Sequence, residues 1–210
     1  MTRIIAGRFG GRTLATPRGE TTRPTTERVR EALFSRLEHL DVLSGARVLD
    51  LYAGSGALAF EALSRGATTA VLVEAARSVA SVAVRNAKAL GCAGEAAVVS
   101  AKAEKYSAAP ELAGGPFSLV IADPPYDVDE ATLAQVLAGL VRPGDPGAAG
   151  VPGVLGGHGV LTEDAVVVVE RSSRSPEPTW PAGLERFDER TYGETRLWFA
   201  EPVTPGDVGG

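Results

Sequence analysis

The chain of 210 residues has one cysteine, Cys92, and two histidines, His39 and His158. A single thiol excludes an internal disulfide and a cysteine-cluster metal site, and it fits a reducing compartment, the cytoplasm. Aromatic residues make up only 6% of the chain. No apolar run approaches the roughly 20 residues that a membrane span needs. The opening residues carry Arg3 and Arg8 without an apolar stretch of signal-peptide length. Zinc-ligand spacing, a phosphate-binding P-loop and a nucleophile elbow are all missing, so no metal and no serine- or histidine-based hydrolysis is expected. What is present is ordinary for a globular protein: 44% hydrophobic and 22% charged residues. The length suits about one domain, on a scale of roughly 100–200 residues each.

Charge is unevenly placed. The net charge is −5, yet residues 1–36 hold eight arginines against three glutamates, and the remaining 174 residues sum to −10. Arginine is the dominant base throughout the chain, but compositional bias does not explain the scarcity of acids beside those eight. A basic arm on an acidic body points to a polyanion held at one end. Residues 1–25 form this arm, rich in Gly, Thr, Arg and Pro, and the pieces around Arg3–Ala6 and Arg12–Ala15 pair across glycines as a small hairpin.

After the arm, Thr25 is set to cap a helix carrying Val29, Leu33, Leu37 and Leu40 at helical spacing. From Arg47 the chain alternates. Strands are expected at Arg47–Leu51, Ala70–Glu74, Ala96–Ser100, Phe117–Ala122 and Val166–Glu170. Helices are expected at Leu58–Arg65, Arg77–Leu90, Glu104–Leu112 and Glu130–Val141. This is the signature of an α/β, doubly wound, Rossmann-like parallel sheet, its strands apolar because helices cover both faces. Residues 143–159 carry seven glycines and three prolines and are expected to be a flexible loop. Leu184–Thr191 and Thr195–Glu201 close the domain (26–201) as an antiparallel hairpin, and residues 202–210 are expected to be a disordered tail.

The strongest chemical signal is Asp50-Leu51-Tyr52-Ala53-Gly54-Ser55-Gly56, where a strand ends and a helix begins. Gly54 and Gly56 let the backbone approach a ligand closely. The spacing formally fits the dinucleotide fingerprint, but an acid at Asp50 repels a pyrophosphate and attracts a cation. S-adenosylmethionine, with a sulfonium and an ammonium and no phosphate, suits that pattern. Glu74, at the end of the next strand, is placed to accept two ribose hydroxyls. Asp123-Pro124-Pro125-Tyr126 ends the fourth strand and faces the same crevice. Its prolines remove two donors and stiffen the loop. It therefore presents the Asp123 carboxylate and the Pro124 carbonyl as acceptors, beside the flat face of Tyr126, an arrangement suited to an amino group on a stacked base.

With these residues in place the chain resembles the class I methyltransferases that modify amino groups. More narrowly it resembles the bacterial RsmD family, which methylates guanine N2 in 16S ribosomal RNA, at position 966 in the family's pattern. The resemblance spans about residues 2–201. It is carried also by Arg3-Ile4-Ile5-Ala6-Gly7, by Arg23-Pro24-Thr25-Thr26 with Arg28-Val29-Arg30-Glu31, and by Tyr192-Gly193-Glu194-Thr195-Arg196-Leu197. It implies a seven-stranded sheet whose last strand is antiparallel, S-adenosylmethionine as cofactor, and an assembled small ribosomal subunit as partner, met by a monomer. Cofactor contacts then fall on Asp50, Ala53, Gly54, Ser55, Gly56, Glu74, Ala75, Ala101, Lys102 and Asp123. Catalysis falls on Asp123, Pro124, Pro125 and Tyr126, and RNA phosphates on Arg3, Arg8, Arg12, Arg23, Arg28 and Arg30. The segment Ser100-Ala101-Lys102 lacks the acid that family members often place against adenine. Three alternatives stand beside this reading: transfer to DNA adenine N6 or to protein, an inactive RNA-binding assembly factor, and a nicotinamide enzyme.

Overall fold

The computed structural model describes residues 2–17, 27–109, 115–141 and 160–203. A short hairpin, β1 (Thr2–Arg3) and β2 (Thr13–Leu14), precedes α1 (Glu27–His39). There follow β3 (Arg47–Leu51), α2 (Ala57–Ser64), β4 (Thr69–Val73), α3 (Arg77–Leu90), β5 (Ala96–Val99), α4 (Ala103–Ser107), β6 (Phe117–Ala122) and α5 (Glu130–Leu140). The chain closes with β7 (Leu161–Ser172), β8 (Leu184–Tyr192) and β9 (Thr195–Pro202). The expected capping residue Thr25, Arg23, the loop 143–159 and most of the tail lie outside the described residues.

Strands β3 to β9 form one seven-stranded sheet in the order β5-β4-β3-β6-β7-β9-β8. Neighbours from β5 to β7 run parallel, and β9 is antiparallel to both β7 and β8. The expected fold is therefore present, its last strand reversed. Strand order changes direction between β3 and β6, and in open α/β sheets ligands bind beyond the carboxyl ends at such a switch. The period-2 alternation of each strand feeds two cores. Val48, Leu72, Leu119 and Ile121 pack with α1, α2 and α3, whereas Leu49, Leu51, Val71, Val73 and Val120 pack toward α4 and α5. By the same alternation Asp50 faces the α2 side.

Two elements differ from expectation. Strand β7 begins at Leu161, five residues before Val166. Its polar start, Thr162-Glu163-Asp164, hid it from a search for apolar runs, and its pairing with β6 shifts register between Phe117 and Leu119. Helix α4 ends at Ser107 rather than Leu112. The hairpin also does not stand apart. Ile4, Phe9 and Leu14 are buried in the same core as α1 and α2, and burying such side chains stabilises by roughly 1.5–3 kcal/mol each. Among the described residues no helix is long and apolar enough to cross a membrane.

Candidate active site

The turn after β3 is forced into an uncommon backbone. Tyr52 (φ 65°), Gly54 (φ 55°) and Gly56 (φ 86°) all lie in the left-handed region, which is rare and strained for tyrosine. A Cβ on Gly56 would stand 2.3 Å from Phe60 Cε2 and 2.7 Å from Leu72 Cδ2, so packing as well as φ demands glycine there. A Cβ on Gly54 would meet nothing within 4 Å. That backbone lies open to the cleft, as a ligand-contacting turn requires.

Two carboxylates hold the turn. Glu74, one residue beyond β4, accepts from Gly54 N–H through Oε2 (3.0 Å) and from Ala76 N–H through Oε1 (2.8 Å). Each oxygen keeps a second lone pair, so both can still accept from a ligand hydroxyl. Asp50 is only 1% exposed; its Oδ2 accepts from Ala59 N–H at 3.0 Å in the first turn of α2. Its Oδ1 is buried with no hydrogen-bond partner, an expensive state for a polar atom. Burial raises the Asp50 carboxyl to about 8, opposed by the Ala59 N–H and reinforced by the nearby acids Asp123 and Glu74. Asp50 therefore differs from an ordinary exposed carboxylate: burial favours its protonated form, and a cation beside Oδ1 would favour loss of the proton.

The register brings the rest together. Leu51 pairs with both Val73 and Ala122, so Tyr52, Glu74 and Asp123 leave three adjacent strands at one level. The Pro125 carbonyl accepts from Val128 N–H at 3.0 Å, closing the Asp-Pro-Pro-Tyr loop; Pro124 is buried and Tyr126 is 70% exposed. Arg171 fastens this loop from β7, donating to the Val128 carbonyl (3.2 Å) and to the Glu130 carboxylate. These elements surround an open cleft of about 1190 Å³. That exceeds the roughly 300–1,000 Å³ of ordinary small-molecule sites and leaves room for two reactants side by side. Ala53, Ser55, Ala75, Ala101, Lys102 and all four residues of Asp123–Tyr126 line it with Asp50, Gly54 and Glu74. Gly56 stands just behind, at the N-terminus of α2. Glu104, in the first turn of α4, also lines the wall, two residues past the Ser-Ala-Lys segment.

The arginines expected to meet RNA divide sharply. Arg28 is exposed and lines the cleft. Arg30 is corrected: it is 2% exposed, donates to the Arg3 carbonyl and stands 3.9 Å from Glu61. It falls one residue past Val29 on the buried side of α1, where burial lowers its pKa. Arg12 donates to the Leu90 carbonyl (2.9 Å) and the Ala89 carbonyl, capping the end of α3. Arg8 pairs with Glu95 and reaches the Leu63 carbonyl (3.3 Å), while Arg3 pairs with Glu27 at 3.2 Å. Within this structure those three cations serve the fold; their side chains keep an exposed surface at Arg3 and Arg8.

Sequence reasoning missed Arg171 and the strained Tyr52, and it read the turn between β8 and β9 without placing its Thr191–Thr195 on the cleft that they line. It also missed Asn86. The available signal was a polar residue on the apolar stripe Val79, Val82, Ala83, Ala87 and Leu90 of α3.

Residues 2–144 match the protein-family model described as Conserved hypothetical protein 95. The ribosomal RNA small subunit methyltransferase D of Escherichia coli is 35% identical over 208 residues, 98% of this chain and 93% of that one. The chain belongs to the RsmD family. Similar solved structures agree. The Escherichia coli protein yhhF, described as a methyltransferase, is 34% identical, with 96% and 97% of the two chains covered and a TM-score of 0.76. The Thermus thermophilus protein TTHA0928 is 28% identical over 96% and 99%, with a TM-score of 0.73. The fold is thus that of the class I methyltransferases, with the cleft at its switch point.

Proposed function

We propose that the protein transfers a methyl group from S-adenosylmethionine to the exocyclic N2 amine of a guanine in small-subunit ribosomal RNA, position 966 in the family's pattern, within the assembled small subunit. The observation that carries this reading is the convergence, at one strand-end level, of the Gly54 turn, the Glu74 carboxylate and the Asp123-Pro124 acceptors.

The residues fit that cofactor. Open backbone at Gly54, an unpartnered buried oxygen on Asp50 and spare lone pairs on Glu74 form an acidic, donor-poor cradle that suits a cation and disfavours a pyrophosphate. Glu74 would hold the ribose hydroxyls, the 53–56 turn and Asp50 the amino-acid end, and Ala75, Ala101 and Lys102 the adenine edge. When bound, S-adenosylmethionine supplies an electrophilic methyl group. The chain's own residues act on the acceptor. A guanine amine is a weak nucleophile because its lone pair conjugates with the ring. Asp123 and the Pro124 carbonyl accept its two hydrogens, which turns the lone pair out of conjugation and toward the methyl. The Asp123 carboxylate then stabilises the positive charge that grows on nitrogen and is placed to take up the proton that the methylated amine must release. Tyr126 offers a stacking face to the unstacked base, and Arg28 sits at the lip where the phosphates would pass. Most of the acceleration is positioning.

The decisive experiment is tritiated methyl transfer to four acceptors in parallel: small subunits lacking the modification, naked 16S RNA, duplex DNA and a protein extract. The expected product is N2-methylguanine from the subunits. Label in DNA or protein would overturn the acceptor and leave the cofactor site standing.

A further inference from the structure

Asn86 is 2% exposed on α3 and makes three hydrogen bonds to main chain far away in sequence. Its Nδ2 donates to the Ala15 carbonyl (3.0 Å) and to the Ser55 carbonyl (2.9 Å), and its Oδ1 accepts from Ala15 N–H (2.9 Å). Both amide hydrogens are used, one in each direction. The orientation is determined by the network, because a flipped amide would set oxygen against two carbonyls and NH₂ against an N–H. Ser55 stands between the left-handed Gly54 and Gly56, at the centre of the turn. Ala15 leaves β2 just before Thr16 and Pro17, which themselves line the cleft. The other arm contacts behave differently. Ile5, Ala6 and Phe9 are tied to Glu61 and Ser64 on α2, away from the turn.

We propose that Asn86 is a positioning residue that couples the seating of the N-terminal arm to the shape of the cofactor turn, so that binding at either one strengthens the other. The inference rests on the reading of the 53–56 turn as the cofactor site. Two backbone segments share one rigid amide, and ordering either removes freedom that the other would have to give up. The coupling is reciprocal by thermodynamic necessity.

The first test needs no substitution. Amide hydrogen exchange of the full chain is measured with and without S-adenosylhomocysteine. Ala15 N–H is expected to slow severalfold on binding, together with Gly54 and Ser55; protection of the turn with Ala15 unchanged would overturn the coupling. The second test is Asn86→Asp, which keeps the acceptor for Ala15 N–H but faces two carbonyls with an oxygen. Calorimetry should show S-adenosylhomocysteine binding weakened about tenfold, a modest coupling between sites. Asn86→Ala, read alongside thermal unfolding, covers the case in which the carboxylate prevents folding. Either variant binding as tightly as wild type, however much stability it loses, would reduce Asn86 to a structural role and refute the proposal. Failure of the wild-type protein to bind S-adenosylhomocysteine at all would be a different result, removing the cofactor reading and this coupling with it.

Discussion

Two carboxylates are buried beside α2, and they keep opposite company. Glu61, on its rear face and fully buried, accepts from Ile5 N–H (2.7 Å), Ala6 N–H (3.0 Å) and Arg65 Nε (2.7 Å). Asp50, at its front, has one donor and leaves an oxygen with none. Native proteins satisfy nearly all buried polar groups, so the saturated acid reads as architecture and the unsaturated one as a place kept for something else. The same contrast divides the molecule. Behind α2 the arm is fixed by backbone bonds and buried cations. In front of it, backbone strain, an exposed tyrosine and an orphaned oxygen gather around the cleft. Strain of this kind persists only where the surroundings over-determine it, and the Glu74 bond to Gly54 N–H is part of what holds the turn.

This contrast can be broken at four points. Glu61→Ala should have the largest effect on the fold, about 3–5 kcal/mol, because it removes the carboxylate beside the buried Arg30 guanidinium, takes one of three carboxylates from Arg65 and strands two amides; denaturant unfolding measures it. A loss under about 1 kcal/mol would mean the arm is held by its apolar contacts alone. Asp123→Ala should lower the methyl-transfer rate about 100- to 1000-fold, the scale of losing one charge-stabilising group, with cofactor-analogue affinity largely intact; loss of that affinity instead would move Asp123 to the cofactor side. Glu74→Ala should weaken S-adenosylhomocysteine binding about 10- to 100-fold through lost charge-assisted bonds, and an unchanged dissociation constant would remove its ribose role.

The subtlest point is Asp50. Its carboxyl sits at about 8 when folded against an ordinary 3.8, so between those values the unfolded chain binds fewer protons than the folded one. This group's contribution to stability therefore falls as pH rises from about 4 to about 8 and is level above that. Asp50→Asn, which still accepts from Ala59 N–H, should remove the slope and leave the ligand-free protein more stable than wild type at pH 8, while weakening the cofactor analogue. Thermal unfolding at pH 5 and pH 8 checks this, and parallel pH profiles for the two proteins would show that the group is ionised throughout.

Much of this arrangement could be read from the residues alone. The bounds of β3, α3 and β6 follow from apolar runs that turns interrupt sharply, and Asp50, Gly54, Glu74 and Asp123 were legible because strand-end chemistry in a parallel sheet converges on one edge. The rear of α2 was not legible. Glu61 reads locally as a helix-surface acid, and its partners lie 55 and 56 residues upstream. Arg8, Arg12 and Arg30 look alike in a basic segment, whereas one pairs with Glu95, one caps α3 and one is buried. Composition records that charge is present; only tertiary contact decides which charges face water.

The hairpin has one more consequence, for the order in which the chain becomes a protein. Residues 2–15 precede the groups that receive them: Glu61, Ser64, Asn86, Leu90 and Glu95 come 50 to 90 residues later in the chain. Until α3 and the start of β5 have been made, only the α2 part of that seat, Glu61 and Ser64, is in place. Contacts of such long separation close late and slowly. The hairpin is thus among the last elements to be seated completely, and a chain that stops short of residue 86 leaves Ala15 and Arg12 without their partners.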